Sequence, residues 1–303
     1  MTQPSPPASQ DDQSPQELYR LATLGDAAGL LLALPAFVGS GFIASALARA
    51  SCEGHVECVK LLVPHVLLAD EFVAAAAYAA GNGQEECLRI LLAAMPRDPL
   101  KDAEFFTLNG SPSSPLALAS YRGHVGCVSI LLSLAIEGCS AKSPPAYPSS
   151  LAEVAIASSS ACYPNVVHAS IVGASCNGHL ECVQMLAPWC RPSRAAAALI
   201  PAARGGHSSC ASFLAGLPGS TLPYLSSAID AAGEKGYFEC VEILSKKARE
   251  LPGCPSLLDM ASDSRHRGFH GSAEILTSLA DKEALTLACE GPPVDSSGCR
   301  KRI

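Results

Sequence analysis

Hydrophobic residues along this chain recur in short stripes with helical spacing, each stripe opened by a glycine. Aligned on that glycine, the sequence reads GHVECVKLL from Gly54, GQEECLRIL from Gly83, GHVGCVSIL from Gly123, GHLECVQML from Gly178, GHSSCASFL from Gly206 and GYFECVEIL from Gly236. Weaker copies, GDAAGLLLA from Gly25 and GFHGSAEIL from Gly268, flank them. With the glycine counted as zero, positions four, five and eight fall on one helical face, so each copy predicts a short amphipathic helix. Cysteine fills position four in six of the eight copies: Cys58, Cys87, Cys127, Cys182, Cys210 and Cys240. Glutamate at position three (Glu57, Glu86, Glu181, Glu239) suits the positive N-terminal end of such a helix.

Upstream of each glycine runs a second stripe built from small residues, as in SALARASCEG, FVAAAAYAAGNG and LSSAIDAAGEKG. Alanine propagates a helix and lets neighbouring backbones approach closely. The glycine then fits as the left-handed residue that ends this first helix and reverses the chain. The glycines are spaced 29, 29, 40, 55, 28, 30 and 32 residues apart. A unit of about 30 residues cannot bury its own stripe, so the copies are expected to stack into one continuous core. The expected fold is all-α: a solenoid of helix-turn-helix repeats spanning residues 17–291. The Pro/Ser-rich run 138–150 reads as an insertion, and 1–16 and 292–303 as disordered ends.

Composition sharpens this picture. The 303 residues are 49% hydrophobic but only 5% aromatic, so small side chains must do the packing. A net charge of −7 argues against a broad electrostatic grip on nucleic acid. Fourteen cysteines fit a reducing compartment, because six of them recur at one repeated position and the rest are spread over a long chain rather than set in a disulfide framework. The N-terminus shows no secretory signal, so cytoplasm is expected, with the nucleus as the alternative. Residues 27–48 carry no charge and match a membrane helix in length, but Pro35, Gly39, Ser40 and Gly41 interrupt them. Two helices and a loop are expected there instead of a span.

SPLALASYRGHVGCVSILL at 114–132 and ALARASCEGHVECVKLL at 46–62 resemble the ankyrin repeat. The resemblance implies a non-enzymatic protein-binding scaffold. It also implies that the histidine after the glycine (His55, His124, His179, His207) hydrogen-bonds backbone between neighbouring repeats. Two features depart from the family pattern: no GAD-type signature follows the second helix, and units of 28–30 residues leave little room for a β-hairpin. Short loops are expected where the family has hairpins.

Two candidate chemistries are weighed against packing. Cys52, His55 and Cys58, and likewise Cys176, His179 and Cys182, have zinc-ligand types and spacing, but each set offers three groups where a structural site takes four. Position-four cysteine as a small hydrophobe explains more of the pattern. The regular recurrence of the histidine points to architecture, and no phosphate loop, HExxH helix or nucleophile elbow is present. No cofactor, metal or catalytic residue is therefore expected.

The first helices are expected to line the inner, concave curve, with the variable residues before each glycine facing a partner protein: Glu53, Asn82, Tyr121, Arg122, Asn177, Arg204, Glu234 and Lys235. The chain is expected to be a monomer. A narrower alternative is the substrate-recognition subunit of a larger complex such as a ubiquitin ligase, which would require a docking segment outside the stack.

Overall fold

A computed structural model describes residues 14–66, 68–95, 114–138 and 163–290. Residues 1–13, all but the first residue of the 138–150 insertion, and the 292–303 tail lie outside the described residues. Helix begins at Pro15, two residues inside the segment 1–16.

The chain divides into two compact units, Met1–Arg191 and Pro192–Ile303. In the first, α1 (Pro15–Leu24) pairs with α2 (Ala27–Ala33), α3 (Phe42–Glu53) with α4 (Val56–Leu62), and α5 (Ala69–Gly81) with α6 (Glu85–Ala94). Then α7 (Pro115–Arg122) pairs with α8 (Val125–Gly138), and α9 (Tyr163–Cys176) with α10 (Leu180–Leu186). First helices pack on first helices and second on second, from pair to pair. Residues 27–48 hold two helices separated by a 3-10 turn and bends, and no helix among the described residues is long and apolar enough to cross a membrane.

The second unit opens with a first helix broken at Ala198 into α11 (Pro192–Ala197) and α12 (Leu199–Arg204), followed by α13 (Ser208–Ala215). Next come α14 (Leu222–Gly233) with α15 (Phe238–Arg249), and α16 (Leu257–His266) with α17 (His270–Glu290). The last pair departs from the pattern, since α17 packs against both α14 and α15. Each unit is thus an all-α stack of helix pairs, and no strand occurs among the described residues.

One backbone device builds the turn inside each helix pair. All eight register glycines, Gly25, Gly54, Gly83, Gly123, Gly178, Gly206, Gly236 and Gly268, have φ between 73° and 88°. The residue after each donates its N–H to the carbonyl five residues back: His55 to Ala50 at 2.9 Å, Gln84 to Ala79 at 2.9 Å, His124 to Ala119 at 2.9 Å, and so on to Phe269 and Ser264 at 2.8 Å. This closes the end of the first helix in the manner of a Schellman cap. Side chains start several helices: Asp26 accepts from the Gly29 N–H at 2.9 Å, Ser114 from Ala117 at 3.2 Å, and Ser256 and Asp259 form a capping box.

The core follows the stripes. Position five (Val59, Leu88, Val128, Val183, Ala211, Val241) and position eight (Leu62, Leu91, Leu131, Leu186, Leu214, Leu244) are fully buried. Burying one such leucine is worth about 2 kcal/mol. The six position-four cysteines are buried beside them, and burial pushes the thiols of Cys58, Cys87, Cys210 and Cys240 up and that of Cys127 to about 11.

Candidate protein-binding face

The repeats are joined by a strut at the turn. His55 Nε2 lies 2.8 Å from the carbonyl of Thr23, His124 Nε2 3.1 Å from that of Gly81, and His179 Nε2 3.1 Å from that of Tyr121. In each case the acceptor sits two residues before the preceding repeat's glycine, where a helix C-terminus leaves carbonyls unpaired. The imidazole lies directly over that glycine. A Cβ at Gly25 would stand 2.6 Å from His55 Nδ1, and one at Gly83 would stand 2.8 Å from His124 Nδ1. The glycine therefore supplies both the left-handed turn and the room for its neighbour's ring. The repeats are ankyrin-like.

Sequence comparison adds little to this geometry: no family model matches the chain, and no curated protein sequence matches it. Solved structures do, among them the human ASB11 ankyrin repeat domain, with 18% identity over 76% of this chain and 82% of that one and a TM-score of 0.42.

The strut fixes the first helices of the first unit side by side and leaves one of their faces to solvent. Three alanines and Ser45 line a cavity of about 470 Å³ between α3 and α5, together with Arg49, Cys52, Asp70, Glu71 and Tyr78. Tyr78 on α5 is 53% exposed and Tyr121 on α7 is 54% exposed. Tyr121 stands against α9, where a Cβ at Gly173 would be 3.6 Å from its own Cβ. Two half-exposed tyrosines thus stand on consecutive first helices; Tyr78 walls the small-residue cavity together with Arg49, Asp70 and Glu71, and Tyr121 stands against the next first helix, with Glu53 exposed at the end of α3.

The residues singled out from the sequence take different places. Glu53, Tyr121, Arg204, Glu234 and Lys235 are exposed. Asn82 and Arg122 tie repeats together: Arg122 Nη1 donates to the Gly81 carbonyl and to Asn82 Oδ1, both at 2.8 Å, while Asn82 Nδ2 donates to the Tyr78 carbonyl at 2.8 Å and points at Cys52 Sγ at 3.2 Å. Asn177 Nδ2 donates to its own helix at the Gly173 carbonyl, 3.0 Å away. In the second unit, Glu234 Oε1 accepts from the Gly271 N–H at 3.1 Å, capping the start of α17. Glu53, Asn82, Tyr121, Arg122 and Asn177 belong to the first unit, and Arg204, Glu234 and Lys235 to the second. Sequence reasoning passed over Tyr78 and Arg49. Each lies four residues before a residue that was chosen or adjoins it (Asn82, Glu53), so extending the stripe back one helical turn finds both.

The zinc-like triplet Cys52, His55 and Cys58 does not converge. Cys58 is buried in the core, His55 faces Thr23, and Cys52 faces Asn82.

Proposed function

We propose that this chain is a non-catalytic scaffold that captures a protein partner across the first-helix face of its first unit, with Tyr78 and Tyr121 as anchors. The observation that carries the reading is the pair of half-exposed tyrosines on adjacent first helices, Tyr78 walling the small-residue cavity between α3 and α5. Tyrosine supplies large, rigid contact area with a polar tip, and such residues concentrate binding energy in interfaces. Asn82 and Arg122 contribute by holding α5 and α7 in register, and Glu53, Asp70 and Glu71 give the face a negative rim. Substrate recognition within a ubiquitin ligase is a narrower form of the same reading and adds the need for a docking segment.

The test is affinity purification of the full chain against Tyr78→Ala with Tyr121→Ala, read by quantitative mass spectrometry. Each lost anchor costs about 2 kcal/mol, so co-purified partners fall more than tenfold while the helical circular dichroism is unchanged. Arg204→Ala, in the second unit, leaves capture intact. Undiminished capture by the tyrosine variant refutes the assignment of this face.

A further inference from the structure

The second unit holds a groove that the first-unit face does not explain. It lies between α14 and α16, beyond the end of α15, with a volume of about 430 Å³. Leu222, Ile229 and Met260 give it an apolar floor, and Asp259 and Asp263, one turn apart on α16, stand on its rim. Behind them is a buried carboxylate: Asp230 is 1% exposed, and its Oδ1 accepts from Ser264 Oγ at 2.7 Å and Ser272 Oγ at 3.0 Å. Its Oδ2 stands 2.6 Å from Arg267 Nη1, an ion pair off the hydrogen-bond direction. Arg267 also reaches Asp263 Oδ2 at 3.0 Å. Arg267 therefore answers two carboxylates, Asp230 and Asp263, while Asp259 Oδ2 accepts from Ser256 Oγ in its own helical turn at 2.7 Å, and the rim of the groove is left net negative.

We propose that residues 291–303 of this same chain, GPPVDSSGCRKRI, dock in that groove, with Arg300, Lys301 and Arg302 along Asp259 and Asp263. The charges complement one another. The segment carries three cations and one side-chain carboxylate, Asp295, so it is positive where the groove is negative. Val294 and Ile303 supply apolar side chains for the floor. The reach also fits. Arg249 Nη2 holds Glu283 Oε1 at 2.7 Å, and Arg249 adjoins Ala248, which lines the groove. From Glu283 the helix advances about 10 Å to Glu290, and nine further residues span up to about 30 Å when extended. Cys299, beside the basic triplet, is thereby brought within range of Cys254, a half-buried free thiol on the groove wall.

The two thiols give the test. The full chain is treated with diamide, which takes two electrons and two protons from a pair of thiols as one disulfide forms, and monomeric product is mapped by peptide mass spectrometry. The expected intrachain product is Cys254–Cys299. Charge reversal in the tail (Arg300→Glu, Lys301→Glu, Arg302→Glu) lowers its yield at least about fivefold. Asp259→Lys with Asp263→Lys does the same, and combining the two sets restores it. The tail variant alters no described residue, so its result stands even if the groove variant fails to fold. The proposal is overturned if tail reversal leaves the yield unchanged, if Cys299 pairs as often with the exposed Cys176, or if the bond forms only between two chains.

Discussion

Replacing Gly83 by alanine separates the two duties assigned to the register glycine. Gly83 has φ +73°, and Gly236 has φ +74°, so the backbone cost of a Cβ is the same at both, about 1–2 kcal/mol. Their surroundings differ. A methyl at Gly83 would stand 2.8 Å from His124 Nδ1, whereas nothing lies within 4 Å of one at Gly236. At Gly83 the ring must therefore move, and its 3.1 Å bond to the Gly81 carbonyl is lost, at a further cost of about 1 kcal/mol. Gly83→Ala is expected to cost about 2–3 kcal/mol and Gly236→Ala about 1–2 kcal/mol, measured from urea unfolding followed by far-ultraviolet circular dichroism. In the double variant with His124→Ala the excess disappears, giving a coupling of about 1 kcal/mol between the two sites. Equal costs for the two glycines, or no coupling with His124, would refute the strut as a determinant of repeat geometry.

Three further perturbations follow from the core and the terminal pair. Cys127→Ser buries a hydroxyl in an apolar site and is expected to cost about 1–3 kcal/mol, whereas Cys127→Val stays within about 1.5 kcal/mol, both read as urea midpoints. The raised thiols make stability sensitive to alkali. Their folded values lie above the ordinary 9.0, so the contribution is whole below pH 9 and is lost as pH rises towards the 11 of Cys127. Unfolding midpoints at pH 8, 9.5 and 10.5 should fall in that order, and fall less in Cys127→Val. Asp230→Ala strips Arg267, Ser264 and Ser272 of their shared acceptor and is expected to cost about 2–3 kcal/mol, seen as early loss of amide protection in α16 and α17.

The eight turns were legible because each is a local device. A glycine and an apolar stripe within nine residues suffice, and even the weak copies at Gly25 and Gly268 adopt the same left-handed turn. The burial of the cysteines was legible for the same reason, as they share a face with leucine and valine. What escaped involves partners distant in sequence. Arg122 reads as a free cation until the carbonyl of Gly81, 41 residues upstream, is placed beside it. Glu234 reads as a free anion until α17 brings the Gly271 N–H to it. The division at Arg191, the break at Ala198 and the doubled role of α17 depend on how whole helices pack, and no nine-residue window carries that information.

Native-state thiol labelling followed by peptide mapping tests the stacked-repeat account most directly. The full chain is exposed briefly to a maleimide, and each cysteine is read separately. Cys58, Cys87, Cys127, Cys182, Cys210 and Cys240 are expected to remain unlabelled until the chain is unfolded, while the exposed Cys176 labels at once. Position-four cysteines that react as fast as Cys176 would contradict a core made of stacked stripes.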